Sequence, residues 1–191
     1  GMHMWKKFVI VAMSLVLVMG SASCSRLSHG SDNASEAMTL SDADSMFLRM
    51  MIPHHAQAIR MSELALTNTS STDVRLAAKS IKKVQTVELQ KMRSWLAEAG
   101  GSEGEMTAAE LGTEGMMSSH NLKSLRAARD KAFDIQFLSG MLVHHRGAIT
   151  MAQDEMKHGS NPKVKAVAAA IVVGQSAQLI ALEALRNHAS D

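Results

Sequence analysis

From Ser41 onward the chain alternates apolar and polar residues with a helical step. Asp44, Phe47/Leu48, Met51, His54/His55, Ala58 and Met61/Ser62 recur at three- and four-residue intervals, which is one face of a helix. Ser41 is placed to cap it, with Asp42 and Asp44 in the first turn, and the polar stretch Asn68 to Thr72 ends it. A second stripe, Val74, Ala78, Ile81, Gln85, Leu89, Met92 and Leu96, predicts a helix from about Asp73 to Ala99, stopped by Gly100-Gly101. The same plan returns over 131–188. There the turn is His158-Gly159-Ser160-Asn161-Pro162, with Asn161 as cap and Pro162 at the first helical position. Residues 100–130 link the two halves: 100–118 are rich in Gly, Glu, Thr and Met, and Ser119 to Arg129 can form a short helix. Four striped helices joined by short turns predict an all-α four-helix bundle built from two helical hairpins, 41–99 and 131–188, in one domain.

The two hairpins are copies of each other. Sliding the chain by 90 residues superposes Asp44 on Asp134, Phe47-Leu48 on Phe137-Leu138, Met51 on Met141, and His54-His55 on His144-His145. Ala58-Ile59, Met61, Ser70, Val74, Ala78, Ile81, Gln85 and Leu89 find their twins in the same way. Those 15 identities compare with about three or four expected by chance.

The chemistry lies where the stripe stops being apolar. Each first helix carries a His pair at its centre, with Met51 one turn before His55 and Met141 one turn before His145. Met61 and Met151 occupy matching places further on. A buried imidazole needs a partner for each ring nitrogen. Gln85 and Gln175, on the inward faces of the partner helices, are candidates for that structural duty, and methionine at helical spacing is often plain core filler. The duplication favours a metal. Imidazole with thioether is a soft, neutral donor set that suits Cu(I), with Cu(II) or Zn also compatible, and suits Mg²⁺, Ca²⁺ or Mn²⁺ poorly. The candidate ligands are therefore His54, His55, Met51 and Met61, and His144, His145, Met141 and Met151. Symmetry is broken at three places near them. Pro53 faces Val143, Met50 faces Gly140, and Gln178 stands where the first repeat has Glu88. Pro53 removes one helical hydrogen bond in mid-helix, so the two His pairs should not be presented identically.

Composition narrows the function. The chain has 191 residues, sixteen Met, nine His, one Cys and no Tyr. One Cys excludes a disulfide framework and any Cys-based cluster. Near-neutral charge with 3% aromatic residues excludes a nucleic-acid partner. Residues 1–23 read as an export signal with a cloning scar at Gly1: Lys6-Lys7, a short apolar run from Phe8 to Met19, then Gly20-Ser21-Ala22-Ser23. Cys24 sits where a bacterial lipoprotein signal places its acylated residue, and 24–40 read as a flexible tether. Without Lys6 and Lys7 the remainder carries 18 basic against 18 acidic residues, so the basic balance belongs to the signal. The expected location is the cell envelope, as a lipoprotein, or the periplasm or exterior. The only membrane contact expected is through the anchor, and a homo-oligomer is compatible with the sequence.

The doubled motif Asp44-x-x-Phe47-Leu48-x-x-Met51-x-x-His54-His55-x-x-Ala58-Ile59-x-Met61, with its twin from Asp134 to Met151, resembles the bacterial family catalogued as domain of unknown function 305. The resemblance extends over about 40–188 and takes in Met116-Met117-Ser118 and Gln85-x-x-Glu88-Leu89. It implies a ferritin-like fold, export, and copper binding through His and Met, as in members of the CopM type. A ferritin-like fold also raises a di-metal oxidoreductase. Such a centre takes Glu-x-x-His from its helices, whereas Met51 or Ile52 and Met141 or Leu142 stand where the Glu would be. The expectation is a non-enzymatic copper-buffering protein. The alternatives are the di-metal oxidoreductase and a structural or partner-binding helical module.

Overall fold

The computed structural model describes residues 37–104 and 114–190. The export signal, Cys24, most of the tether and the middle of the linker lie outside the described residues. Five helices follow in order: α1 (Asp42–Asn68), α2 (Thr72–Glu98), α3 (Ser119–Ala127), α4 (Asp130–His158) and α5 (Pro162–Ser190). No strand occurs among the described residues.

The helix ends follow from local chemistry. Ser41 and Asp44 form a capping box on α1: the Asp44 N–H donates to Ser41 Oγ at 3.1 Å, and the Ser41 N–H donates to Asp44 Oδ2 at 2.8 Å. Ser71 and Ser118 cap α2 and α3 in the simpler way. At the end of α2, Gly100 adopts φ +75, its N–H reaches Ala97 O, and the Gly101 N–H reaches Leu96 O, a Schellman closure that requires a left-handed residue at that step. Asn161 Oδ1 accepts the Lys163 N–H at 2.9 Å and Pro162 opens α5, as the turn sequence predicts. Pro53 does not interrupt α1, which continues as one helix through it.

The hairpins α1–α2 and α4–α5 pack mainly through α1 on α4. These two run antiparallel, because Asp44 at the start of α1 accepts the Ser160 and Asn161 N–H groups just beyond the end of α4. The core has two apolar bodies. One gathers Phe47, Leu48, Met51 and Ile52 of α1 with Leu89, Met92 and Leu96 of α2, Ala148, Met151 and Ala152 of α4, and the first half of α5. The other gathers Ala58, Met61 and Ala65 with Val74, Ala78 and Ile81, Leu125 of α3, Phe133, Phe137, Leu138, Met141 and Leu142 of α4, and Leu182. Each long helix thus buries one half of its stripe in each body. Fully burying one such side chain stabilises by about 1.5–3 kcal/mol, which is what holds the polar layer between the bodies in place. α5 is long and apolar enough to cross a membrane by length and composition, but Val164, Val167, Ala168, Ile171 and Leu182 are spent on the bundle.

Candidate metal centre

The layer between the two apolar bodies is made of histidine. His54 and His55 fall between Ile52 and Ala58, His144 and His145 between Leu142 and Ala148, and all four are at most 1% exposed. The His54 and His144 rings face each other across α1 and α4 with centroids 3.6 Å apart and planes tilted by 35°. The four predicted methionines flank this layer. Met51 and Met151 belong to one apolar body and Met61 and Met141 to the other, so each body receives one from α1 and one from α4.

Three of the imidazoles are oriented by a partner at Nε2. His55 meets Glu88 Oε2 at 2.7 Å, and His145 meets Gln178 Oε1 at 2.6 Å. His54 meets the Glu114 carbonyl at 2.7 Å. Each partner atom is an acceptor, so Nε2 carries the proton and donates. That leaves the Nδ1 lone pair, and for His54 and His55 this atom is buried without a protein partner. His144 has no partner among the described residues at either ring nitrogen. An unpartnered buried polar atom costs about 1–3 kcal/mol, so this layer is destabilised until a hydrogen-bond donor or a cation meets those lone pairs. Hydrogen-bonded Nε2–H with a bare Nδ1 is also how an outer partner fixes a metal-binding histidine.

Burial sets the charge state. It drives the His54 pKa down to about 3 and that of His145 to about 4, against the opposing pull of the Glu114 and Gln178 hydrogen bonds. His144 is lowered well below the ordinary range, first by burial and then by the nearby His54, His145 and His55. His54, His144 and His145 are therefore neutral imidazole at neutral pH, the protonation state in which histidine binds metals. Among the described residues, Glu88 is the only carboxylate bonded to any of the four rings, and no three His, Cys, Asp or Glu side chains are gathered as a ready cage. A donor set of bare imidazole nitrogens with thioethers close by fits a soft cation better than a hard one.

The linker completes the layer. Residues 114–118 run across α1 and α4 as a strap. Gln57 holds it at both polar ends of its amide, donating from Nε2 to Met117 O at 2.9 Å and accepting the Met117 N–H at Oε1 at 2.8 Å. Opposite, the Glu114 carbonyl lies where a Cβ on Gly147 would stand, so only glycine lets the strap seat there. Gly147→Ala should therefore lower stability. Helix propensity alone would raise it by about 1 kcal/mol, and displacing a backbone carbonyl costs more, for a net loss of about 1–2 kcal/mol. A melting temperature equal to or above that of the parent would show that the strap is not seated as described.

Comparison with known proteins places the fold. The family profile described as "Domain of unknown function (DUF305)" matches residues 44–186. The chain belongs to the DUF305 family. Two solved DUF305 structures resemble it: one from Streptomyces coelicolor, described as secreted (26% identity, TM-score 0.72, covering 78% of this chain and 94% of that one), and a fragment from Deinococcus radiodurans (26%, 0.73, 78% and 98%). CopM in its Cu(I)-bound form is also similar, at 25% identity and TM-score 0.65 over 76% of this chain and 96% of CopM. CopM has further been solved with Cu(II), with Ag and in the apo form. No curated protein matches the chain.

Within this DUF305 chain the structure brings all four predicted histidines into one layer and leaves the four methionines packed above and below it. It corrects one expectation: Gln85 and Gln175 do not bond the rings, and their buried amides have no partner. Glu88 and Gln178, three residues further along α2 and α5, do so instead. The sequence showed them as mismatched twins at the 90-residue offset, an acid in one copy and an amide in the other, without showing that they reach the rings. Gln57, Gly147 and the Glu114 carbonyl were not singled out at all, and Met117 only within the Met116-Met117-Ser118 segment.

Proposed function

We propose that this DUF305 protein binds copper, Cu(I) in preference, and buffers or sequesters it outside the cytoplasm without catalysis of its own. The observation that carries the reading is His144: both its ring nitrogens are buried and unpartnered, and its ring lies 3.6 Å from that of His54. His54, His55, His144 and His145 would supply the nitrogen ligands, and Met51, Met61, Met141 and Met151 the thioethers beside them. The copper and silver forms of the similar protein CopM support the choice of a soft cation. An export signal over residues 1–23, removed before a lipidated Cys24, would deliver the bundle to the cell envelope.

The test is a Cu(I) titration of the apo-protein against a competing chelator. The parent should take Cu(I) from the chelator. The variant carrying His54→Ala, His55→Ala, His144→Ala and His145→Ala should hold it at least tenfold more weakly, a difference of about 1.4 kcal/mol or more. Equal affinity in the two proteins would remove the histidine layer from the site.

A further inference from the structure

The two repeats offer unequal sulfur. In α1, Met50 stands one turn before His54; in α4 the matching residue before His144 is Gly140. The place that a Cβ would take at Gly140 is filled by the Met117 methyl group from the strap, with the Met61 methyl 3.5 Å away. Helical side chains lean back over the turn that precedes them, and residues four apart share a face. His144 therefore lies one turn beyond the gap at Gly140 that both methyl groups border.

The surroundings keep Met117 there. Its backbone is clamped by Gln57 at both N and O. The strap is seated on α4 at Gly147 and touches His54 through the Glu114 carbonyl. Met117 is partly buried against the apolar body that contains Met61 and Met141. Three observations thus converge on one region: a ring with two unpartnered nitrogens, two thioether methyl groups that border the Gly140 gap, and a glycine that makes room for one of them.

Building on the copper-binding reading above, we infer that Met117 is a thioether ligand of this protein, forming with Met61 and His144 a closed subsite for a soft monovalent cation. Gly140 is then no defect in the second repeat. It is the opening through which the linker supplies the sulfur that the repeat lacks. A pocket of this kind takes Cu(I) or Ag⁺ and disfavours Zn²⁺, because two of its three donors are neutral sulfur.

The experiment compares the full-length parent with Met117→Leu and His144→Ala, using Cu(I) alone as probe. It measures chelator competition, copper X-ray absorption and thermal unfolding of the metal-free forms. Leucine keeps the volume and removes the sulfur, so the metal-free melting temperature should change little. Met117→Leu should weaken Cu(I) binding about tenfold or more and remove one sulfur from the copper shell. If Met117→Leu matches the parent in affinity and sulfur count while His144→Ala loses binding, the inference fails and the copper reading stands. If the parent itself takes no Cu(I), both fail. Should Met117→Leu unfold, Gln57→Leu serves in its place. It frees the strap while keeping every sulfur, and it should weaken binding and lower the sulfur count in the same direction; an unchanged shell would overturn the inference.

Discussion

Acidifying the metal-free protein from pH 6.5 to pH 4.5 should cost it several kcal/mol of stability. Folded, His54 and His145 have pKa values of about 3 and 4, and His144 is held well below its usual range, in each case chiefly by burial. Unfolded, each takes a proton near pH 6.5, so the unfolded chain gains protons that the fold refuses. Each group then contributes about 1.4 kcal/mol per pH unit, present in full above pH 6.5 and lost progressively below it. Glu155 acts in the opposite sense. Burial and the neighbouring Asp44 carboxylate push its pKa up to about 8, so the fold keeps a proton that the unfolded chain releases near pH 4.5. Three histidines against one glutamate leave a net loss of at most about 5 kcal/mol between pH 6.5 and 4.5. Between pH 6.5 and 8 Glu155 is left alone, and stability should decline again by about 2 kcal/mol. Urea unfolding at pH 4.5, 5.5, 6.5 and 8 should show a maximum near 6.5. Glu155→Gln should remove the alkaline decline and leave the acid limb. A flat acid limb would mean that the histidine layer is open to water.

Asp44→Ala should be the most damaging substitution outside the histidine layer, and Asp134→Ala should be mild. The two are repeat twins. Asp44 is fully buried and accepts from Ser41 N at 2.8 Å and Ser41 Oγ at 2.9 Å, from Ser160 N at 2.9 Å, and from Asn161 N at 3.1 Å. With Glu155 ionised, neither of its oxygens has a partner; with a proton on Glu155, that carboxyl donates to Asp44 as well. Burial works to raise the Asp44 pKa, but the hydrogen bonds from Glu155, Ser41 and Ser160 prevail and hold it near 2. One carboxylate therefore caps α1 and ties it to the α4–α5 turn. Losing a cap costs about 1 kcal/mol and each stranded buried N–H about 1–3, for a total of about 3–5 kcal/mol. Asp134 leaves one oxygen unpartnered already, so its removal should cost about 1 kcal/mol or less. Equal losses in chemical unfolding would show that the anchoring role of Asp44 has been misread.

The bundle was readable from the sequence because its stripes obey one period and repeat at one offset. The capping residues Ser41 and Asn161, the stop at Gly100 and the inward position of both His pairs all follow from that. What escaped is what periodicity does not encode. The strap over 114–118 has no repeating step, and its meaning resides in two mismatches between the copies, Gln57 against Gly147 and Met50 against Gly140. Gln57 supplies a clamp, and Gly147 and Gly140 supply space, which only the folded chain shows. The role of Glu88 and Gln178 escaped because they sit at the edge of their stripes, from where a long side chain can still reach a ring on the neighbouring helix.

The depth at which the histidines lie also bears on where the protein could work. A ligand that must shed a proton before binding loses affinity as its surroundings acidify. Imidazoles that stay neutral down to about pH 4 have no proton to shed at any milder acidity. Hydrogen ions then compete poorly for these rings, and a cation lodged there would be retained even where the medium turns sour.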